Sequence, residues 1–245
     1  MKEFHYDFMN REEGVHWWYR VRRKIVHDLI RNLYPGRDNL KILDAGCGTG
    51  GMLVELARYG NVYGVDESEQ AVNYCLKKSI PRVLLSGVSS LPYESNMFDI
   101  VTILDVLEHI NDDSSAIREI QRVLKPGGYC IIFVPAFSFL WSITDVVSKH
   151  FRRYNMSGLF GLLSGSRLRV IRKSYFNFFL FFPIAIIRML VRLLKLPVKS
   201  ENGFSHGIIN SILYGIFYLE SSLLKYIDFP FGVSILVVCK KDNEK

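Results

Sequence analysis

The chain has 245 residues, of which 49% are hydrophobic and 22% charged; this is enough for one sizeable core and excludes a disordered or fibrous protein. Its net charge of +7 is compatible with nucleic acid or an anionic surface as partner and specifies neither. Cys47, Cys75, Cys130 and Cys239 are scattered without metal-ligand or redox spacing, which speaks against a disulfide framework or zinc centre, so no metal site and a cytoplasmic location are expected.

The opening residues, MKEFHYDFMNREEG, are too polar and acidic for a secretory signal. Residues 15–34 place Val21, Ile25, Leu29 and Leu33 at helical spacing among basic residues, predicting an amphipathic helix that Pro35-Gly36 stops. An alternation follows. Strands are expected over 41–45, 61–65, 82–85, 98–104 and 129–134, with helices over 51–58, 69–78 and 113–124. Short apolar strands alternating with amphipathic helices imply parallel pairing through right-handed crossovers. The first 135 or so residues therefore read as a doubly wound α/β sheet.

The turn after the first strand carries Gly46, Gly48, Gly50 and Gly51. Glycines that dense mark a backbone that a ligand can touch, at the carboxyl end of a strand. Asp66 closes the second strand about twenty residues on, where an acid can accept from both hydroxyls of a ribose. Asp44, just before the glycines, would repel a pyrophosphate and attract an ammonium group. That favours S-adenosylmethionine over a dinucleotide.

The run Asp44-Ala45-Gly46-Cys47-Gly48-Thr49-Gly50 resembles the first motif of class I S-adenosylmethionine-dependent methyltransferases. Leu91-Pro92-Tyr93 with Phe98-Asp99-Ile100-Val101, Leu107-Glu108-His109-Ile110, and Arg118-Glu119-Ile120 through Pro126-Gly127-Gly128 are similar to later segments of that family, in the same order. The resemblance implies a Rossmann-like, doubly wound seven-stranded sheet whose last strand, Ser234–Lys240, is antiparallel, with Leu168–Lys173 as the strand before it. It further implies an N-terminal helical lid over residues 1–38 and a methyltransferase domain over 39–245, into which the apolar residues at about 176–228 read as a helical insertion.

Carried over by motif, Asp44, Gly46 and Gly48 would hold the methionine end, with backbone or hydroxyl contacts from Cys47 and Thr49. Asp66 would bind the ribose, beside Glu67 and Ser68. Leu104 and Asp105 would lie under the reacting methyl. Gly87 stands where the family often has an acid for the adenine amino group, so the adenine would rest on backbone, on Ser86 or Ser89, or on apolar packing such as Val88. Candidate bases are His109, Asp105, His150 and Tyr154. The last two belong to His150-Phe151-Arg152-Arg153-Tyr154, which is either a substrate-facing element whose arginines clamp an anionic acceptor or a solvated basic loop.

Two segments leave alternatives open. His16-Trp17-Trp18-Tyr19-Arg20 could wall the pocket or pack a helix onto the sheet. Tyr175–Leu196 is the most apolar stretch and too short to span a bilayer. It could lie on a membrane surface with Arg188, Arg192 and Lys195 facing anionic lipid, roof the acceptor site together with a second helix over 204–226, or form a homodimer interface. Glu220 could face either pocket or water. The expected activity is methyl transfer to a small acceptor that is partly apolar or linked to lipid or sugar, in the cytoplasm or peripherally at the inner face of the membrane. A nucleic-acid acceptor is the second reading, weakened by the absence of N-P-P-Y or paired-Cys signatures. A catalytically silent cofactor-binding protein is the third.

Overall fold

A computed structural model describes residues 3–194 and 207–243. The chain begins with α1 (Glu3–Glu12) and α2 (Trp17–Leu33). The sheet follows with β1 (Leu40–Ala45), α3 (Gly51–Leu56), β2 (Gly60–Asp66), α4 (Glu69–Lys77), β3 (Val83–Leu85), β4 (Phe98–Leu104), α5 (Asp113–Val123) and β5 (Leu124–Pro135). Two short helices, α6 (Ile143–Val147) and α7 (Met156–Ser164), lead to β6 (Leu168–Phe176); α8 (Phe181–Leu193) and α9 (Gly207–Leu223) then precede β7 (Ser234–Lys241).

The seven strands run in the order β3-β2-β1-β4-β5-β7-β6. Strands β1 to β5 pair in parallel, and β7 lies antiparallel between β5 and β6. This is the expected sheet. Its central strands read as continuous apolar runs because helices cover both faces. Ile42, Leu43, Ile100, Val101, Ile103, Ile131 and Ile132 are fully buried. Chain order reverses between β1 and β4, which leaves a crevice at their carboxyl ends where such sheets bind ligands.

Helix α2 buries Val21, Ile25, Val26, Leu29 and Ile30 along one stripe, as its spacing predicts. Trp18 stacks on Phe217 of α9 at 5.4 Å and on Phe176 of β6 at 5.8 Å. Both tryptophans thus pack α2 against α9, and Trp18 packs it against the sheet as well. Three elements differ from expectation. Helix α1 has no apolar periodicity to announce it. Strand β6 runs to Phe176, so Tyr175 and Phe176 belong to the sheet and not to the insertion. Strand β5 begins five residues early, at Leu124, with a register irregularity opposite Phe98 and Ile100.

The arginines of α8, Arg188 partly buried and Arg192 exposed, are both held by backbone carbonyls. Arg188 donates to the Leu140 carbonyl at 2.8 Å, and Arg192 to those of Phe139 and Trp141 at 3.1 and 2.8 Å. The expected lipid-facing stripe instead anchors α8 to the loop after β5; Lys195 and residues 204–206 of the expected second helix lie outside the described residues. The apolar side of α8 is left open, with Phe182, Ile187 and Leu193 at least 60% exposed. No helix among the described residues is long and apolar enough to cross a membrane. Glu220 faces neither water nor crevice: it is buried and accepts the amides of Phe178 and Phe179 at 2.8 and 3.0 Å, fixing the entry to α8.

Candidate active site

The crevice is built around the glycine turn. Gly46, Gly48 and Gly50 have φ of +78°, +53° and +85°, a region that side chains other than glycine rarely adopt. The amides of Gly46 and Cys47 both donate to the Val65 carbonyl, at 2.8 and 2.9 Å, which pins the turn to β2. A methyl group on Gly46 would sit 2.4 Å from the Val106 side chain. The Cys47 thiol points inward against Gly64 and Cys75, so only its backbone is offered to the crevice. The Thr49 hydroxyl is buried and donates to Glu13 at 2.8 Å.

Two acids flank the turn. Asp44 is buried beneath it and accepts the Thr102 hydroxyl at 2.6 Å. Burial pushes its carboxyl up to about 7, against the lowering effects of Thr102 and of the nearby Arg22 guanidinium. Asp66 accepts the amides of Gly48 and Ser68 at 2.9 and 3.0 Å, so its side chain is held by the turn it serves. Burial raises its pKa, and those amide bonds oppose the rise.

Helices α1 and α2 close over this floor. Tyr6 donates to Asp66 at 3.2 Å. Asp7 accepts from Gln70 and Tyr74 of α4, and the Met9 sulfur lies against Gly48. Glu13 accepts the Gly51 amide at 3.1 Å and pairs with Lys78. From α2, Arg22 pairs with Asp105 at 2.8 Å. Asp105 follows β4 with φ +56°, a strained conformation for a residue with a side chain. Tyr19 is close enough to Arg22, Glu13 and Asp105 to feel their charges, and burial pushes its hydroxyl up to about 12.

Beyond Asp105 the chain brings Glu108, His109 and His150 together. One ligand atom from each lies within 4.8 Å of the others. Glu108 is fully buried, and neither of its carboxylate oxygens has a hydrogen-bond partner; burial holds its carboxyl well above the usual range. The His150 Nδ1 contacts the Asp145 carboxylate at 2.8 Å, and that same buried acid takes Arg153 at 2.8 and 2.9 Å. Arg152 and Tyr154 both donate to Asp113, at 2.8 and 2.7 Å. The His150–Tyr154 stretch is therefore neither a solvated basic loop nor a ready anion clamp. Both arginines neutralise internal acids. The Tyr154 proton is committed to Asp113, and burial holds its hydroxyl far above the ordinary value.

The sequence matches the family described as "Methyltransferase domain" over residues 43–132, from β1 into β5. It is 30% identical over 168 residues to the demethylmenaquinone methyltransferase of Staphylococcus aureus, covering 64% of this chain and 67% of that one. The chain belongs to the class I S-adenosylmethionine-dependent methyltransferases.

Other relatives are matched over less of their length. A Mycolicibacterium smegmatis protein named as a probable S-adenosylmethionine-dependent methyltransferase is 32% identical over 49% of this chain and 46% of its own. The chain thus spans under half of that relative. Among solved structures, geranyl diphosphate C-methyltransferase from Streptomyces coelicolor superposes with a TM-score of 0.59 at 15% identity, covering 88% of this chain and 77% of that one. The cyclase SpnF superposes with 0.57 at 19% identity, covering 89% and 81%. Likeness at that distance speaks for the fold alone.

Within this methyltransferase fold, the residues expected at the cofactor site fall into three groups. Asp44, Gly46, Cys47, Gly48 and Asp66 gather around the crevice floor, and Leu104 ends β4 beside it with Asp105 next in the chain. Glu67 and Ser89 are exposed on the loops after β2 and β3, whereas Val88 is buried. A side chain on Gly87 would meet nothing within 4 Å, so this corner is open. Of the catalytic candidates, His109 and His150 meet with ring centroids 4.5 Å apart, while Tyr154 is turned to Asp113. Sequence reasoning missed Tyr6 and Met9, which come from a helix without periodicity, and Glu13 in the turn after it, and gave no role to Arg22, whose partner is 83 positions away.

Proposed function

We propose that this protein transfers the methyl group of S-adenosylmethionine to a nucleophile on a small, partly apolar acceptor. The observation that carries this reading is that the Arg22 guanidinium lies near enough to Asp44, the buried acid leading into the glycine turn, to lower its pKa, while pairing with Asp105 at the end of the neighbouring strand. A zwitterionic amino-acid tail needs one anion and one cation at short range, shielded from water. Asp44 supplies the anion once ionised, and Arg22 can turn from Asp105 to supply the cation. Asp66, oriented by the Gly48 and Ser68 amides, keeps acceptor capacity for the ribose hydroxyls. The glycines leave the volume that a nucleoside fills.

When bound, the sulfonium supplies an activated methyl group with a neutral sulfur as leaving group. The protein then has mainly to position: it must align the acceptor with the methyl carbon and exclude water. Helix α1 and the turn after it act as a lid in this reading, because Tyr6, Met9 and Glu13 all touch the glycine turn or the acids beside it. The acceptor enters from the side of Asp105, His109 and His150, past the apolar α8. The open apolar surface of α8 supports a partly apolar acceptor, in keeping with a relative that is named as a demethylmenaquinone methyltransferase.

A nucleic-acid acceptor is less well supported, because Arg22, Arg122, Arg152 and Arg153 are spent on internal carboxylates. The test is incubation with methyl-labelled S-adenosylmethionine and a panel of phenols and quinols presented free or in vesicles. Label appearing in at least one acceptor supports the reading. Binding of S-adenosylhomocysteine with no transfer to any acceptor would favour the silent binding protein.

A further inference from the structure

We propose that Glu108, His109 and His150 form a binding site for one divalent transition-metal ion at the acceptor side of β4. This departs from the expectation of no metal site, which rested on cysteine spacing alone. Three observations carry it. The three ligand atoms already lie within 4.8 Å of one another; tetrahedral ligands at about 2.1 Å from zinc stand roughly 3.4 Å apart, which small side-chain rotations reach. Glu108 is fully buried and both its oxygens lack a partner, a costly arrangement that a bound cation resolves. His150 is held through Nδ1 by a buried acid at 2.8 Å, which leaves Nε2 as the ligating atom, in the carboxylate–histidine–metal arrangement of metal sites.

The surroundings are fixed well enough to keep the site formed. Phe151 donates its amide to the Glu108 carbonyl at 2.8 Å, which ties the loop carrying His150 to the loop after β4. Arg153, the nearest cation on that loop, is neutralised by Asp145, and Arg22 by Asp105. Two imidazoles and one carboxylate suit zinc, manganese, cobalt or iron rather than calcium or magnesium, which prefer all-oxygen shells. Three protein ligands leave at least one position open for an acceptor oxygen.

The site's role rests on the methyl-transfer reading; its existence does not. An acceptor hydroxyl bound to the ion is acidified and loses its proton to solvent. The oxygen anion then forms a bond to the methyl carbon, and the carbon–sulfur bond breaks with its electron pair returning to sulfur. The products are a methyl ether and neutral S-adenosylhomocysteine.

The experiment uses the full chain after treatment with a chelator. Manganese chloride is titrated while free Mn2+ is read by electron paramagnetic resonance, and zinc chloride is titrated by calorimetry. The proposal expects one ion per chain, with affinity at least tenfold weaker in both Glu108→Gln and His109→Ala, and in Co2+-loaded protein visible bands that His150→Ala removes. S-adenosylhomocysteine affinity, measured on the same samples, should be unchanged. If Glu108→Gln does not fold, the two histidine variants decide. Absence of saturable binding to the wild type, or binding that the variants leave intact, overturns the site. Metal binding without any S-adenosylhomocysteine binding would instead overturn the methyl-transfer reading and leave the site standing.

Discussion

The hydroxyl of Tyr6 donates to the Asp66 carboxylate at 3.2 Å, joining residues 60 positions apart. Asp66 already accepts two backbone amides, so the tyrosine takes acceptor capacity that a ribose would use. Helix α1 therefore competes for the acid it covers. Replacing Tyr6 with Phe removes the competing donor while keeping the ring. S-adenosylhomocysteine should bind more tightly, by about tenfold or more, the equivalent of one hydrogen bond to a charged group. Isothermal titration of the two proteins checks this; weaker binding to the variant would show that Tyr6 helps to hold the nucleoside.

Burial pushes the Asp44 carboxyl up to about 7, and an ammonium group binds only its ionised form. Below that value binding must first remove a proton, so affinity should fall as pH falls. S-adenosylhomocysteine is expected to bind about tenfold more weakly at pH 6 than at pH 8. Proton release on binding, measured in buffers of different ionisation enthalpy near pH 6.5, should accompany it. A flat profile would remove Asp44 from the ammonium site.

Gly46 has φ +78° and its missing side chain faces Val106 at 2.4 Å. Gly46→Ala adds left-handed strain of about 1–2 kcal/mol and an overlap costing roughly another 1–3 kcal/mol. The melting temperature should drop by several degrees and cofactor binding should be lost with it. The double variant with Val106→Ala should recover part of the stability, since only the overlap is relieved.

Asp145 is fully buried and takes its ion pairs and hydrogen bonds from Arg153, His150 and Ser142. Breaking a buried pair leaves its partner uncompensated, so Asp145→Asn should destabilise the fold by about 3–5 kcal/mol. Denaturant unfolding measures this. A loss under 1 kcal/mol would mean that Arg153 reaches solvent without its partner.

What could be read from the sequence was whatever local pattern encodes. The five parallel strands showed themselves as short apolar runs, and the glycine turn by density, because only bare backbone tolerates those dihedral angles. Relationships between distant residues were not legible. Arg22 sat on a predicted helix, but nothing in its surroundings named Asp105. Helix α1 carries no apolar stripe because it lies on a polar crevice floor, so the contacts that Tyr6, Met9 and the following Glu13 make with the site left no periodicity. Arg188 and Arg192 looked like a lipid-facing stripe because their spacing is helical; the carbonyls that take them belong to a loop 48 to 53 positions earlier. The spacing of Glu108, His109 and His150 likewise gave no metal signature, since the third residue arrives from another loop.

The central claim is that the glycine turn and its flanking acids select a cationic, phosphate-free nucleoside. Isothermal titration of the purified chain with S-adenosylhomocysteine and, separately, with NAD tests it most directly. One S-adenosylhomocysteine should bind per chain, Asp66→Ala should weaken that binding by about 1–3 kcal/mol, and NAD should give no saturable heat. Saturable NAD binding with none for S-adenosylhomocysteine would contradict the account.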